Sequence, residues 1–214
     1  LAILSAGAVT VPLYPTLAGE QMREILNDAQ VRFAIVSGEA EATKVRSVWQ
    51  ALPQLEIVVM IDHHSNENTL DESVEMGLFE VAERGRRRLL TEKGLAQRYR
   101  EVVASFSPDD IATIIYTSGT GGAPKGVMLP HKAILHNCKG AEDVLSEIGL
   151  DDEVFLSFLP LSHSYEYTAG QFFPISIGAQ IYYAEGLEHL ARNMAEAHPT
   201  IMTAVPRLYE TMHG

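Results

Sequence analysis

The sequence predicts an α/β protein: a mainly parallel sheet flanked by helices. Three observations carry that reading. Short β-rich runs alternate with apolar residues at helical spacing along most of the 214 residues, the pattern of parallel strands covered by helices. At 46% hydrophobic and 21% charged the chain can bury a real core, as one large domain or two small ones. A glycine-rich loop directly follows one of the buried-looking strand runs.

The elements are read in order. After Thr16, taken as an N-cap, Met22, Ile25, Leu26 and Ala29 recur at helical spacing. Val31–Val36 is a short β-rich run. Val45, Val48, Trp49 and Leu52 make a second helix face, Pro53 stops it, and Leu55–Ile61 is the next strand. From Asp62 to about Lys93 the pattern breaks into a polar stretch with His63 and His64, then a basic knot from Arg84 to Arg88. Both read as solvated, the knot as a loop or helix end, because the surrounding chain is acidic. Leu95–Phe106 is another helix, Ile111–Tyr116 a strand, and Lys132–Ile148 a helix. Strand Val154–Leu159, an apolar helix near Tyr165–Ile175 and strand Gln180–Ala184 follow. A helix through Leu187, Leu190, Ala191 and Met194 then leads to strand Ile201–Val205. No internal repeat or low-complexity tract interrupts this order.

Sixteen basic residues against 28 acidic give a net charge of −12. That balance argues against general nucleic-acid binding, which needs a basic surface. A single cysteine, Cys138, cannot form an intrachain disulfide and fits a reducing compartment. The apolar opening Leu1–Val9 has no positive flank and is too short to span a bilayer. The chain opens mid-pattern on Leu1 and closes on Met212-His213-Gly214, which reads as a piece cut from something longer.

The densest chemical signal is Tyr116-Thr-Ser-Gly-Thr-Gly-Gly-Ala-Pro-Lys-Gly-Val-Met128. Gly119, Gly121 and Gly122 let the backbone approach a ligand closely. Thr117, Ser118 and Thr120 bring hydroxyls and Lys125 a mobile positive charge. Successive backbone N–H groups in such a turn form a concavity for an anion, and phosphate is the natural guest. The G-x-x-x-x-G-K-[ST] phosphate loop does not fit: counted from Gly119, its second glycine falls on Pro124, and Gly126 follows the lysine. A phosphoryl-transfer NTPase of that class is therefore disfavoured.

These residues resemble the signature loop Y-T-S-G-T-T-G-x-P-K-G of the adenylate-forming (AMP-forming) acyl-CoA ligase superfamily. Gly121 departs from it, standing where the pattern has threonine. Leu159-Pro-Leu-Ser-His-Ser-Tyr-Glu-Tyr-Thr-Ala-Gly170 is similar to the L-P-L-x-H motif, in the form of the long-chain fatty-acid branch. Thr203-Ala-Val-Pro-Arg-Leu-Tyr-Glu210 resembles a V-P-R stretch of the same branch, and Gly7–Pro15 matches the early part of the large domain. The resemblance covers nearly the whole chain and is weakest from Asp62 to Lys93.

The resemblance implies part of the large N-terminal domain of that fold. Residues 1–107 would be its first α/β segment, 108–214 the segment bearing the phosphate loop, and the C-terminal half of the enzyme is absent. The implied reaction joins a long-chain fatty acid to ATP as acyl-adenylate, then passes the acyl group to CoA, with Mg2+ as cofactor. Thr117, Ser118, Gly119, Thr120, Gly121, Gly122 and Lys125 would hold the ATP phosphates, with Thr120 in the magnesium shell. Lys125 and His163 are the implied catalytic residues, and His163, Tyr165 and Glu166 the implied lining of the acyl-adenylate pocket. His163 and Glu166 at i, i+3 as a metal pair lack a third ligand at a recognisable spacing. Tyr165, Tyr167, Phe172 and Phe173 read equally as acyl-channel lining or plain core.

The adenine motif Y-G-x-T-E, the ribose aspartate, the hinge and the C-terminal lysine of the family would lie downstream. The chain alone is therefore expected to be catalytically incomplete and to self-associate through a core face left bare. Two alternatives stand beside this reading: a ligase for another carboxylate, and a nucleotide-binding module without turnover. The expected location is cytoplasmic. Peripheral membrane contact stays open, since the substrate is membrane-resident, although the sequence shows no basic amphipathic helix.

Overall fold

The computed structural model describes residues 1–62, 74–117, 123–206 and Leu208. The chain divides into two compact units, Leu1–Ser107 with Ala112–Met128, and Pro108–Ile111 with Leu129–Gly214.

The first unit opens with a single turn, α1 (Ala2–Ser5), followed by α2 (Gly19–Asp28), β1 (Phe33–Val36) and α3 (Glu39–Val48). Next come β2 (Ile57–Met60), β3 (Glu75–Gly77), α4 (Leu78–Thr91), α5 (Leu95–Ala104), β4 (Ile111–Thr117) and β5 (Lys125–Pro130). β1, β2 and β3 form a parallel sheet in that order, with Ala34 beside Val58 and Val58 beside Glu75. Met22, Leu26, Val36, Val45, Val58 and Met60 pack into one core, which is why α2 and α3 carry their apolar residues on one stripe. α2 begins later than the Thr16 cap implied: its N-cap is Ala18, whose N–H donates to Gln21 Oε1 at 3.2 Å. A side chain inside the first turn thus does the work expected of the cap.

The stretch read as a break contains two elements. β3 is only three residues long, and its first residue, Glu75, is buried. The Arg46 guanidinium of α3 explains that burial: it donates from Nε to Glu75 Oε2 at 3.1 Å and from Nη2 to Glu75 Oε1, while Nη1 lies 2.5 Å from Glu39 Oε1. A buried carboxylate so paired is tolerated in a strand where an isolated one is not. The basic knot is the C-terminal half of α4, where positive charge complements the helix dipole. Arg84 pairs with Glu80 at 2.6 Å, Arg88 with Glu92 at 2.9 Å, and Arg86 with Glu83. A basic amphipathic helix is thus present, correcting the sequence expectation, with three of its arginines matched by glutamates. His63 and His64 lie outside the described residues.

In the second unit α6 (His131–Leu145) precedes β6 (Val154–Ser157) and α7 (Ser164–Glu166). α8 (Phe173–Ser176), β7 (Gln180–Tyr183), α9 (Leu190–Ala197) and β8 (Ile201–Met202) complete it. The sheet order is β7-β6-β8, all parallel, with Phe155 beside both Ile181 and Ile201. Leu156, Leu190 and Leu208 centre its core, and Phe155 meets Phe173 edge-on at 5.8 Å. The expected single helix near Tyr165–Ile175 is in fact α7, a π-helical stretch Tyr167–Phe172, and α8. Pro174 has no N–H to return to the Gly170 carbonyl, which removes one α-helical bond where the π-helical stretch gives way to α8.

Candidate functional site

In the first unit the loop is launched from a strand that the opening segment holds in place. Thr10 donates from its backbone N–H to the Ala112 carbonyl at 3.0 Å and accepts from the Ile114 N–H at 2.9 Å. The Thr113 hydroxyl adds a bond to the Thr10 carbonyl at 3.1 Å. Ala112, Thr113 and Ile115 are consequently buried, and β4 delivers Tyr116 and Thr117 to the start of the loop.

Tyr116 donates its hydroxyl to Asp28 Oδ2, at the end of α2, across 2.5 Å. Burial, then the adjoining Asp28 carboxylate, push the Tyr116 phenol well above its ordinary range. Its ring lies against Gly126 of β5. A Cβ built there would stand 2.8 Å from Ile114 Cγ2 and 3.0 Å from Tyr116 Cζ, so the glycine is needed for the strands to approach. Residues on both sides of the loop are thereby fastened. Lys125, the first residue of β5, is exposed and has no ion-pair partner among the described residues. Thr117 closes β4 and is also exposed. Ser118, Gly119, Thr120, Gly121 and Gly122 lie outside the described residues.

In the second unit His163 is the N-cap of α7, and its imidazole is exposed. Nδ1 accepts the Tyr165 N–H at 3.2 Å, so the neutral ring carries its proton on Nε2. Tyr165 is 47% exposed, whereas Glu166 has no exposure at all. Glu166 accepts the Ser157 hydroxyl at Oε1 across 2.6 Å and the Thr203 hydroxyl at Oε2. It is closed off from solvent. Of the four aromatic residues left between channel and core, Tyr167 and Phe173 are buried, Tyr167 meeting Phe172 at 5.0 Å.

Sequence reasoning did not single out Asp28, Thr10, Ser157 or Thr203. Each acts on a residue 9 to 103 positions away, a separation that no local pattern signals. Among the described residues no three His, Cys, Asp or Glu side chains converge as a metal site. No helix among them is long and apolar enough to cross a membrane.

The sequence profile described as AMP-binding enzyme matches residues 1–213. The long-chain-fatty-acid–CoA ligase FadD15 of Mycobacterium bovis is 32% identical over 219 aligned residues, covering 100% of this chain and 33% of the relative. The chain spans about a third of the length of the curated relatives it matches. Among solved structures, a mutant form of coronafacic acid ligase from Pectobacterium brasiliense superposes with a TM-score of 0.72 at 17% identity, over 99% of this chain and 38% of that one. The anthranilate CoA ligase AuaEII, in complex with anthranoyl-AMP, gives 0.69 at 20% identity, over 97% and 37%. These two establish the fold alone.

Proposed function

Since the chain belongs to the AMP-binding enzyme family, we propose that the protein activates a long-chain fatty acid with MgATP and transfers the acyl group to CoA. A carboxylate oxygen attacks the α-phosphorus of ATP, the bond to the β-phosphate oxygen breaks, and pyrophosphate leaves. The CoA sulfur then attacks the acyl carbonyl, and AMP departs with the former carboxylate oxygen. The first step accumulates negative charge on the departing pyrophosphate, so it needs cations and donors preorganised there.

The observation that carries this reading is the segment between β4 and β5. An exposed ammonium, Lys125, unpaired among the described residues, follows a glycine-rich segment whose flanks are fixed by Thr10, Asp28 and Gly126. Flanks held in place lower the cost of organising donors around phosphate at the moment of reaction. In this reading Thr117, Ser118, Gly119, Thr120, Gly121, Gly122 and Lys125 bind the phosphates. Thr120 stands closest in role to the magnesium ion carried by ATP. His163 and Tyr165 border the acyl-adenylate, His163 offering its Nε2–H as a donor. The naming of the relatives supports a long-chain acid as the substrate.

The test is ATP–pyrophosphate exchange by the full-length protein with a panel of fatty, aryl and amino acids. Exchange driven by long-chain fatty acids is the expected result. Exchange driven only by another carboxylate keeps the reaction and overturns the substrate. No exchange with any acid, from folded protein, leaves a nucleotide-binding module without turnover.

A further inference from the structure

We propose that Glu166 is a positioning residue, which fixes the direction of the His163 ring through the hydroxyls of Ser157 and Thr203. The proposal rests on the role of His163 given above.

Glu166 is fully buried, and its two hydroxyl donors are nearly so, Ser157 at 4% and Thr203 at 7% exposure. Ser157 ends β6, and Thr203 directly follows β8, its neighbour in the sheet. One carboxylate therefore ties α7 to two adjacent strands. The Thr203 bond joins the two sequence segments, Leu159–Gly170 and Thr203–Glu210, that resemble the long-chain branch.

The fold reserves space for this carboxylate. A Cβ at Gly170, four residues on, would fall 2.5 Å from Glu166 Cδ and 3.0 Å from Oε2. Contacts that short do not occur, so any side chain at 170 would displace the group. Gly170 lies in the π-helical stretch, where the wider backbone turn brings the glycine beneath the acid.

His163 depends on this anchor because it has little of its own. Its imidazole is exposed, and its fixed points are local. Its N–H donates to the Pro160 carbonyl at 2.9 Å, its carbonyl accepts the Tyr167 N–H at 2.9 Å, and Nδ1 accepts the Tyr165 N–H. All belong to the first turn of a helical run that continues from α7 through the π-helical stretch Tyr167–Phe172 into α8. The end of such a run frays unless something ties it down. Within α7 only Glu166 is buried.

Packing alone does not account for an acid here. An apolar side chain of similar volume would join turn to sheet without the cost of desolvating a carboxylate. Two directional hydrogen bonds from different strands supply what apolar contact does not: they fix the rotation and the height of the turn, and with it the direction of the His163 ring.

The experiment uses the full-length protein and four variants: Glu166→Ala, Glu166→Gln, Thr203→Val and His163→Ala. Long-chain-acid-dependent pyrophosphate exchange is measured with its KM and kcat separated. The imidazole nitrogen resonances of His163, assigned by their loss in His163→Ala, report its tautomer and surroundings. Glu166→Ala is expected to move those resonances and to lower kcat by roughly tenfold to a hundredfold, the scale of a misplacement of about 1 Å. Glu166→Gln, which keeps a carbonyl acceptor and offers the second hydroxyl an N–H, should restore a large part of both. Thr203→Val removes one bond of the two and should fall between. If Glu166→Ala does not fold, Thr203→Val carries the test.

A folded variant with lowered melting temperature but unchanged His163 resonances and unchanged kcat overturns the proposal, reducing Glu166 to a stability residue. If Glu166→Ala moves the resonances while His163→Ala leaves exchange intact, the positioning stands and the role assigned to His163 fails.

Discussion

Lys125 stands at the first position of β5 with an exposed ammonium and no competing carboxylate among the described residues. Removing it should cost transition-state stabilisation and little else. We expect Lys125→Ala to slow adenylate formation by about a hundredfold or more, the scale of losing one preorganised donor, with the melting temperature unchanged. Single-turnover measurement of pyrophosphate release checks this, and full activity would sink the phosphate assignment. Tyr116 gives a pH test at the same scale. Its phenol is raised above the ordinary value of 10.0 by burial and by Asp28. A group whose folded-state pKa is raised keeps its stabilisation below the unfolded value and loses it as pH rises through the folded one. In an alkaline absorbance titration Tyr116 should therefore remain a phenol after the exposed tyrosines ionise, and Tyr116→Phe should remove that late step. Lys125 and Tyr116 were both legible in the sequence because they sit inside a dense local motif. Asp28 was not, since its partner lies 88 residues away.

At the scale of elements, β3 is held less by its length than by one ion pair. Arg46 is 15% exposed at its side chain and Glu75 is not exposed at all. Breaking a buried ion pair by removing one partner costs about 3–5 kcal/mol. Arg46→Ala should approach that figure in urea unfolding, whereas Arg88→Ala, on the solvated face of α4, should stay within about 1 kcal/mol. Equal effects would contradict the distinction. The comparison explains what was hidden in this stretch: a charged residue in a three-residue strand matches no strand pattern, and α4 buries no side chain to announce a core face. β5 escaped notice for a related reason. Pro124 and Gly126 read as loop residues, yet Gly126 is the close-approach point against β4.

At the scale of the whole molecule, a large apolar surface is left bare. α4 and α5 have no buried residue, and Phe79 and Leu90 are 79% and 82% exposed. Exposed surface of this kind marks an interaction site or an association liability. The net charge of −12 opposes association, but its repulsion is screened beyond about 8 Å at physiological salt. Apolar contact should prevail at short range. The 214-residue chain is accordingly expected to sediment as species larger than a monomer, and Phe79→Ser with Leu90→Ser to shift it toward monomer. A chain that stays monomeric across a wide concentration range would refute this.

The sequence by itself determined the α/β class, the order of most helices and strands, and the loop that points to phosphate. Those are properties of local periodicity and of residues close together in the chain, such as Tyr116 through Gly126. Tertiary structure alone decided which distant groups hold that chemistry in place: Thr10 on β4, Asp28 on Tyr116, Arg46 on Glu75, and the hydroxyls of Ser157 and Thr203 on Glu166. It also placed Glu166, read from the sequence as pocket lining, out of solvent between two hydroxyls. The physical reason is the same in each case. A hydrogen bond depends on where folding brings its donor and acceptor, and a buried polar group exists only because its partner arrives with it.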